Sequence, residues 1–259
     1  MRYILLATSI LSTSAYAYDG KINIDYEATF LGLTVATGEV SSIFVNDQFK
    51  TSINARSGGI GKLFAGGSMA VQTSGSLTQD RLSTKSYSTQ VQNKKENPTI
   101  KYDVIGGKVS NIVLTPVKEP NPSIVPLTEA HLRNVIDPSS GTVLVIGGTA
   151  PLLSAASCNT KTQPVFDGAI RYDITFVYDR TEKVETEGYK GEAIKCRVKL
   201  NNIAGYRTDK PIAKDNEKVP VYVWLVPVNN TRMMVPYKIE VQTKFGKGVM
   251  TAERMEIGY

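Results

Sequence analysis

The sequence predicts a mainly β fold, a barrel or a sandwich, with only a few short helices. Three observations predict it: polar and apolar residues alternate along many segments, turn-forming pairs such as Asp19-Gly20 and Gly106-Gly107 separate these segments, and helical periodicity is rare. The proline-rich stretch from Asn93 to Pro126 divides the chain into pieces too small and strand-rich to fold separately. We therefore expect one sheet that wraps continuously.

The first strand is predicted at KINIDYEATF, Lys21 to Phe30. Its alternation places Ile22, Ile24, Tyr26 and Phe30 on one face. If this face encloses a cavity, Tyr26 and Phe30 are candidate ligand-binding residues.

The glycine-rich segment SGGIGKLFAGGS, Ser57 to Ser68, does not fit a phosphate-binding loop. Aligned on Gly61-Lys62, that motif requires glycine at Arg56 and a hydroxyl side chain at Leu63.

A short helical turn is the better prediction for this segment, because Ile60, Leu63 and Phe64 have the spacing of one helical face. One hypothesis is that these three residues face a cavity mouth and gate it, while Lys62 reaches solvent or an anionic headgroup. The alternative is a helix that only packs on the core.

Two further short helices are predicted. In PLTEAHLRN, Thr128 is a candidate N-cap, with Leu132 and Val135 facing inward. In DPSSGTVLVI, Asp137 is a candidate cap and Pro138 takes the first helical position.

The later strands are predicted at RYDITFVYD, VPVYVWLVPV, YKIEVQT and VMTAERMEIGY. They include Trp224, the only tryptophan of the chain. An aromatic residue in a central strand belongs to the core or, in a sheet curled around a cavity, to a ligand site. Both interpretations stay open for Trp224.

The first 17 residues are predicted to be a signal peptide. Arg2 precedes a short apolar run, and Ala15-Tyr16-Ala17 is a cleavage motif, so we expect cleavage after Ala17 and a single β-rich domain over residues 18–259. The run is too short for a membrane anchor, and no later segment is long and apolar enough to span a membrane. These features predict a soluble, exported protein.

The chain is basic, with a net charge of +6 at pH 7. A basic exported protein suits anionic surfaces, so peripheral membrane contact is one expectation, and solubility alone is the other. Nucleic acid is disfavoured as a partner by the predicted compartment.

The two cysteines, Cys158 and Cys196, predict a structural disulfide in an oxidising compartment. With one histidine and no other thiol, the chain is not expected to hold a zinc cluster or another metal, and no cofactor is predicted.

We expect no enzymatic activity and assign no catalytic residue. His131 is the only histidine, and no G-x-S-x-G elbow accompanies it. Carboxylates such as Asp173 and Glu185 leave a hydrolase as a minor alternative, since the separation of a glycosidase pair is spatial.

Six segments together resemble an exported family catalogued as domain of unknown function 3108. They are YEATFLGLTVATGEV, ARSGGIGKLF, VIDPSSGTVL, CNTKTQPVFDGAIRYDITF, YKGEAIKCRVKLNNIAGYR and VYVWLVPVNNTRMMVPYKIEVQTKFGKGVMTAERM. The resemblance covers most of the chain. It implies a periplasmic protein of diderm bacteria, of the alphaproteobacterial type. It also implies a single antiparallel, strongly curved open barrel (a β-spiral or half-barrel), similar to the periplasmic lipoprotein carriers, with two or three short helices.

These observations favour a non-enzymatic protein that binds a lipid, a lipoprotein or another amphipathic envelope component and supports envelope integrity. Its ligand would be an acyl chain or a lipoprotein, at Tyr26, Phe30, the Ile60–Phe64 turn and Trp224. The alternative is a structural protein with a filled core that binds another envelope protein.

Overall fold

The computed structural model describes residues 18–62, 66–94, 96–117, 119–159, 162–209 and 219–258. The predicted signal peptide, residues 1–17, lies outside these ranges and stays a prediction, as does the single-domain boundary at residue 18. Leu63 and Phe64 of the predicted gate also lie outside the described residues.

Strands dominate the described ranges. They are β1 (Gly20–Phe30), β2 (Leu33–Val45), β3 (Gln48–Ser57), β4 (Gly67–Leu77), β5 (Leu82–Asn93), β6 (Thr99–Ile105), β7 (Lys108–Thr115), β8 (Leu144–Val145), β9 (Gln163–Phe166), β10 (Arg171–Thr186), β11 (Tyr189–Ala204), β12 (Val221–Pro227), β13 (Met233–Thr243) and β14 (Gly246–Gly258).

These strands form a single sheet in the order β7-β6-β5-β4-β3-β2-β1-β14-β13-β12-β11-β10-β9, and the short β8 pairs with β13. Every pairing is antiparallel, and the first and last strands meet in the middle, where Ile24 pairs with Met255. The sheet is not closed by strand pairing between its edges, β7 and β9. The predictions of a mainly β fold and one open antiparallel sheet are therefore confirmed.

The segment 133–136 lies between the two edges of the sheet. Arg133 forms a bridge with Lys108 of β7, and Ile136 forms one with Val165 of β9. The Ile136 N–H donates to the carbonyl of Pro164 at 2.9 Å. The two edge strands are thus joined through this connection instead of through each other.

Three short helical elements lie wholly within the described ranges: 3-10 helices at Glu129–Leu132 and Ser140–Thr142, and α1 at Ala155–Cys158. The first begins after Thr128, as predicted, and Val135 beyond it is buried. The helix expected after Asp137 is only one 3-10 turn, and the chain then continues into β8. The β-branched Thr142 and Val143 disfavour a longer helix.

The Asp137 side chain is fully buried and anchors this turn. The hydroxyls of Thr73 on β4 and Thr84 on β5 donate to its carboxylate at 3.0 and 2.7 Å. The backbone N–H of Ser139 and the N–H and hydroxyl of Ser140 donate as well, at 2.9, 3.1 and 2.6 Å. Several hydrogen bonds compensate the cost of burying this charge.

The predicted disulfide is confirmed. Cys158 of α1 is bonded to Cys196 of β11, with an S–S distance of 2.04 Å and a sequence separation of 38. In the chain-entropy model, a disulfide that closes a loop of this size stabilises the folded protein by about 4 kcal/mol. The disulfide holds the end of the long connection between β7 and β9 against the sheet.

Replacing Asp137 by alanine is expected to destabilise the protein by about 3–5 kcal/mol, because several buried donors lose their acceptor at about 1–3 kcal/mol each. Glu129→Ala in the same connection is the control. Its carboxylate is 71% exposed and pairs with Lys108, so only a small loss is expected. Urea unfolding of both variants measures the difference. Equal unfolding midpoints would contradict the anchoring role of Asp137.

Candidate functional site

The inner face of the sheet encloses a cavity of about 290 Å³. Strict alternation along β1 directs Ile22, Ile24 and Tyr26 toward it. Small residues at neighbouring positions, such as Gly38 and Ala55, leave the space unfilled. The lining is mostly aliphatic, so the cavity suits an apolar ligand.

The connection after Asp137 forms one wall of this cavity. Ser139, Ser140, Thr142 and Val143 all contribute to the lining. Because the Asp137 carboxylate fixes Ser139 and Ser140, the same buried charge positions this wall.

The cavity opens at the end of the sheet where β2 begins and β3 ends. Ala36, Ala55 and Met69 line both the cavity and an open depression of about 800 Å³. Met69 is 38% exposed although it lies on the inner face. These three residues therefore mark the mouth.

Tyr26 is the predicted ligand-binding residue that lines the cavity. Its hydroxyl donates to the carbonyl of Pro236 at 2.5 Å. Burial raises the pKa of this phenol well above its ordinary value of 10.0. The phenol is therefore neutral, and its hydroxyl is already hydrogen-bonded to Pro236. Tyr26 therefore contributes its aromatic ring to the cavity lining.

The predicted gate is described only in part. Residues 61–62 are helical, Ile60 is half-buried and Lys62 is exposed. The Ile60 N–H donates to the carbonyl of Thr34 at 3.1 Å, which docks the segment on β2. A Cβ at Gly61 would lie 2.0 Å from the Val35 carbonyl oxygen, so glycine here permits a close approach of two backbones.

Phe30 is half-buried at the end of β1, next to the turn between β13 and β14. A Cβ at Gly246 would lie 3.4 Å from the Phe30 ring. Phe30 is at the mouth end of the strands but does not line the described cavity.

Trp224 does not line the described cavity. It pairs with Lys195 of β11 and Lys238 of β13. The indole lies between two ammonium groups, with Lys195 Nζ at 4.7 Å and Lys238 Nζ at 4.3 Å from its ring. The indole N–H donates to Glu182 at 2.8 Å.

The β10–β11 hairpin extends past β12 and reaches β14. The Met255 N–H donates to the carbonyl of Glu187 at 2.8 Å, and the Thr186 hydroxyl donates to the carbonyl of Ala252 at 2.9 Å. Trp224 beneath the hairpin is only 4% exposed. The structure thus brings Tyr26, and not Trp224 or Phe30, to the cavity.

Sequence reasoning missed most of the cavity lining, including Val40 and Phe44 of β2, Met69 of β4 and Met250 of β14. The alternation of β1 supplied one usable signal, since it also identified Ile22 and Ile24. The residues of the connection that line the cavity have no strand or helix periodicity that could have identified them.

A family described as "Protein of unknown function (DUF3108)" matches residues 25–253. The chain belongs to this family. The predicted resemblance is therefore confirmed.

One solved structure with a similar fold is the beta-barrel-like protein of domain of unknown function DUF1849 from Brucella abortus. The TM-score is 0.55 at 11% identity, over 94% of this chain and 99% of that chain. At this identity the likeness shows a shared fold alone. A search of the curated proteins found no match.

The groups considered for catalysis in this DUF3108 chain lie apart from the cavity. His131 Nδ1 accepts from the Thr128 N–H at 3.2 Å. Asp173 pairs with Arg171 at 2.7 Å, and Glu185 pairs with Lys190 at 2.9 Å.

No cluster of three or more His, Cys, Asp or Glu residues in the described ranges has the geometry to hold a metal ion. No helix in them has the length and apolar character needed to cross a membrane.

Glu182 is expected to stabilise the fold in a pH-dependent way. The hydrogen bond from the Trp224 indole, with help from Arg180 and Lys195, lowers the pKa of this carboxyl below 4.5, against the opposing effect of burial. A lowered folded-state pKa means that the contribution is present at neutral pH and is lost as the pH falls through that pKa.

Glu182→Gln should therefore lower the free energy of unfolding by about 1 kcal/mol near neutral pH and much less at about pH 3. Urea unfolding followed by Trp224 fluorescence measures this. Glu185→Gln on the same hairpin is the control, because its carboxylate is 65% exposed. A Glu182→Gln effect that does not depend on pH would contradict the interaction.

Proposed function

We propose that this protein binds the apolar chain of an amphipathic envelope component, such as an acyl chain of a lipid or lipoprotein, inside a strongly curved half-barrel. It acts in the periplasm by binding, without catalysis, and supports envelope integrity. The single observation that carries the proposal is the apolar cavity of about 290 Å³ with its mouth at Met69.

The size of the cavity supports one slender ligand. Small-molecule pockets commonly measure about 300–1,000 Å³, and this one is at the lower end of that range. A single acyl chain matches the aliphatic lining better than a bulky polar ligand does, because burying polar groups there without partners costs free energy.

The charges at the mouth support a ligand with an anionic head. Arg56 and Lys94 line the open depression outside the cavity, together with Glu96. A carboxylate or phosphate attached to a buried chain would lie near these cations. The disulfide between Cys158 and Cys196 is consistent with an oxidising compartment such as the periplasm.

A second candidate function is the binding of another envelope protein along the edge strand β7. Ile112 and Val113 on this strand are 39% and 51% exposed. In the described part of the chain, β7 pairs with β6 and otherwise forms only the bridge between Lys108 and Arg133. A free edge of this kind can add a strand from a partner.

The acyl-chain proposal is tested by titrating the mature chain with the fluorescent fatty acid cis-parinaric acid. Ala55→Phe fills the cavity and is expected to weaken binding at least about tenfold, since a ring occupies the space of the chain. Ala70→Phe is the matched control. Ala70 follows Met69 on the next position of β4, is exposed and faces outward.

Circular dichroism checks that each variant folds, and Ala36→Phe, also in the lining, replaces Ala55→Phe if that variant does not. Binding of equal strength in the cavity-filled variant and the wild type would overturn the proposal. Absence of binding by the wild type would do the same, and would favour the edge-strand candidate if a photo-crosslinker at Val113 traps an envelope protein.

A further inference from the structure

Two hairpin turns lie side by side at the mouth end of the sheet. One joins β1 to β2 and contains Leu31, and the other joins β13 to β14 and contains Phe245. The Leu31 N–H donates to the carbonyl of Lys247 at 3.0 Å. A Cβ at Gly246 would lie 2.3 Å from Leu31 Cδ2, so the two turns are in direct contact.

These turns expose large apolar side chains. Phe245 is 74%, Leu31 64% and Leu33 53% exposed. An exposed cluster of this kind on a water-facing turn commonly marks an interaction site, because it costs free energy while it remains in water.

Two lysines flank Phe245 in the second turn. Lys244 Nζ lies 5.0 Å from the Phe245 ring, and Lys247 is 52% exposed, with its Nζ 3.7 Å from Glu240. The segments 28–38 and 241–252 contain these two lysines and no Asp or Glu. A third lysine, Lys62, is exposed. It lies two residues after Ile60, whose N–H donates to Thr34 of β2, close to the first turn.

We propose that these two turns, defined by Leu31, Leu33, Lys244, Phe245 and Lys247, dock the protein on an anionic lipid bilayer. The apolar side chains enter the region between headgroups and acyl chains, and the lysines contact anionic headgroups. This inference goes beyond the proposed cavity ligand and does not require that ligand to be correct.

A lipid surface fits these turns better than a protein partner for two reasons. The apolar residues are at the tips, with lysines beside them, which is the arrangement of interfacial anchors. The tips are also next to the cavity mouth, since Ala28 and Ala36 pair just before the turn and both line the cavity. Docking there would place the mouth against the membrane.

The test is co-sedimentation of the mature chain with vesicles of phosphatidylcholine alone and of phosphatidylcholine mixed with phosphatidylglycerol. Binding is expected only with the anionic vesicles and is expected to weaken with added salt. Leu31→Ser/Phe245→Ser should reduce vesicle binding at least about tenfold. Lys244→Gln/Lys247→Gln should reduce it about fivefold for each lysine.

Ile105→Ser is the matched control. Ile105 is 62% exposed at the turn between β6 and β7, which lies at the opposite end of the strands. This substitution should leave vesicle binding unchanged. A Phe245→Trp variant adds a direct readout, because the indole should be quenched by brominated acyl chains whereas the buried Trp224 should not.

Three results would overturn the proposal. They are no binding to anionic vesicles, no quenching of the indole at position 245, or a loss of vesicle binding in Ile105→Ser as large as in the two double variants of the turns, called the tip variants. Parinaric acid titration of the tip variants separates this proposal from the cavity proposal. The tip variants are expected to bind that probe as the wild type does, so either proposal can fail alone.

Discussion

The buried carboxylate of Asp137 is the constraint on which the rest of the structure depends. A charge in a fully buried position is tolerated only if polar groups surround it, and here hydroxyls from β4 and β5 and the backbone of the following turn supply them. These hydrogen bonds fix the connection between β7 and β9 inside the sheet. The connection then joins both sheet edges and forms a wall of the cavity. The Asp137 side chain thus anchors the connection that lies between the two sheet edges and forms one wall of the cavity.

The two halves of the sheet use their inner faces differently. In the half that contains β10 to β12, aliphatic residues and the disulfide fill the interior, and Ile194, Cys196 and Leu225 are completely buried. In the half that contains β1 to β4, alanine and glycine occupy several inward positions and leave a cavity. The bulky Trp224 lies outside this cavity and contacts Glu182 of the β10–β11 hairpin and Lys238. The half that contains β10 to β12 is therefore densely packed, whereas the half that contains β1 to β4 has space for a ligand.

The sequence was sufficient for the fold class because alternation and turn residues are local signals. The face of Tyr26 followed from the strict alternation of β1, and the disulfide followed from two cysteines in a chain predicted to be exported. The position of Trp224 outside the cavity did not follow, because apolar residues occupy both faces of β12 and its partner Glu182 is 42 residues away. The Asp137 site was equally inaccessible: its partners Thr73 and Thr84 are 64 and 53 residues away, and nothing local connects them. The docking turns were missed because Leu31 and Phe245 become neighbours only when β1 pairs with β14.

The most direct test of ligand binding in the cavity is native mass spectrometry of the protein purified without detergent from its own cell envelope, followed by organic extraction. A population is expected whose mass exceeds that of the polypeptide by one lipid or acyl-chain component, released by the solvent and absent from the Ala55→Phe variant. A spectrum that contains only the polypeptide mass, with no lipid in the extract, would contradict ligand binding in the cavity.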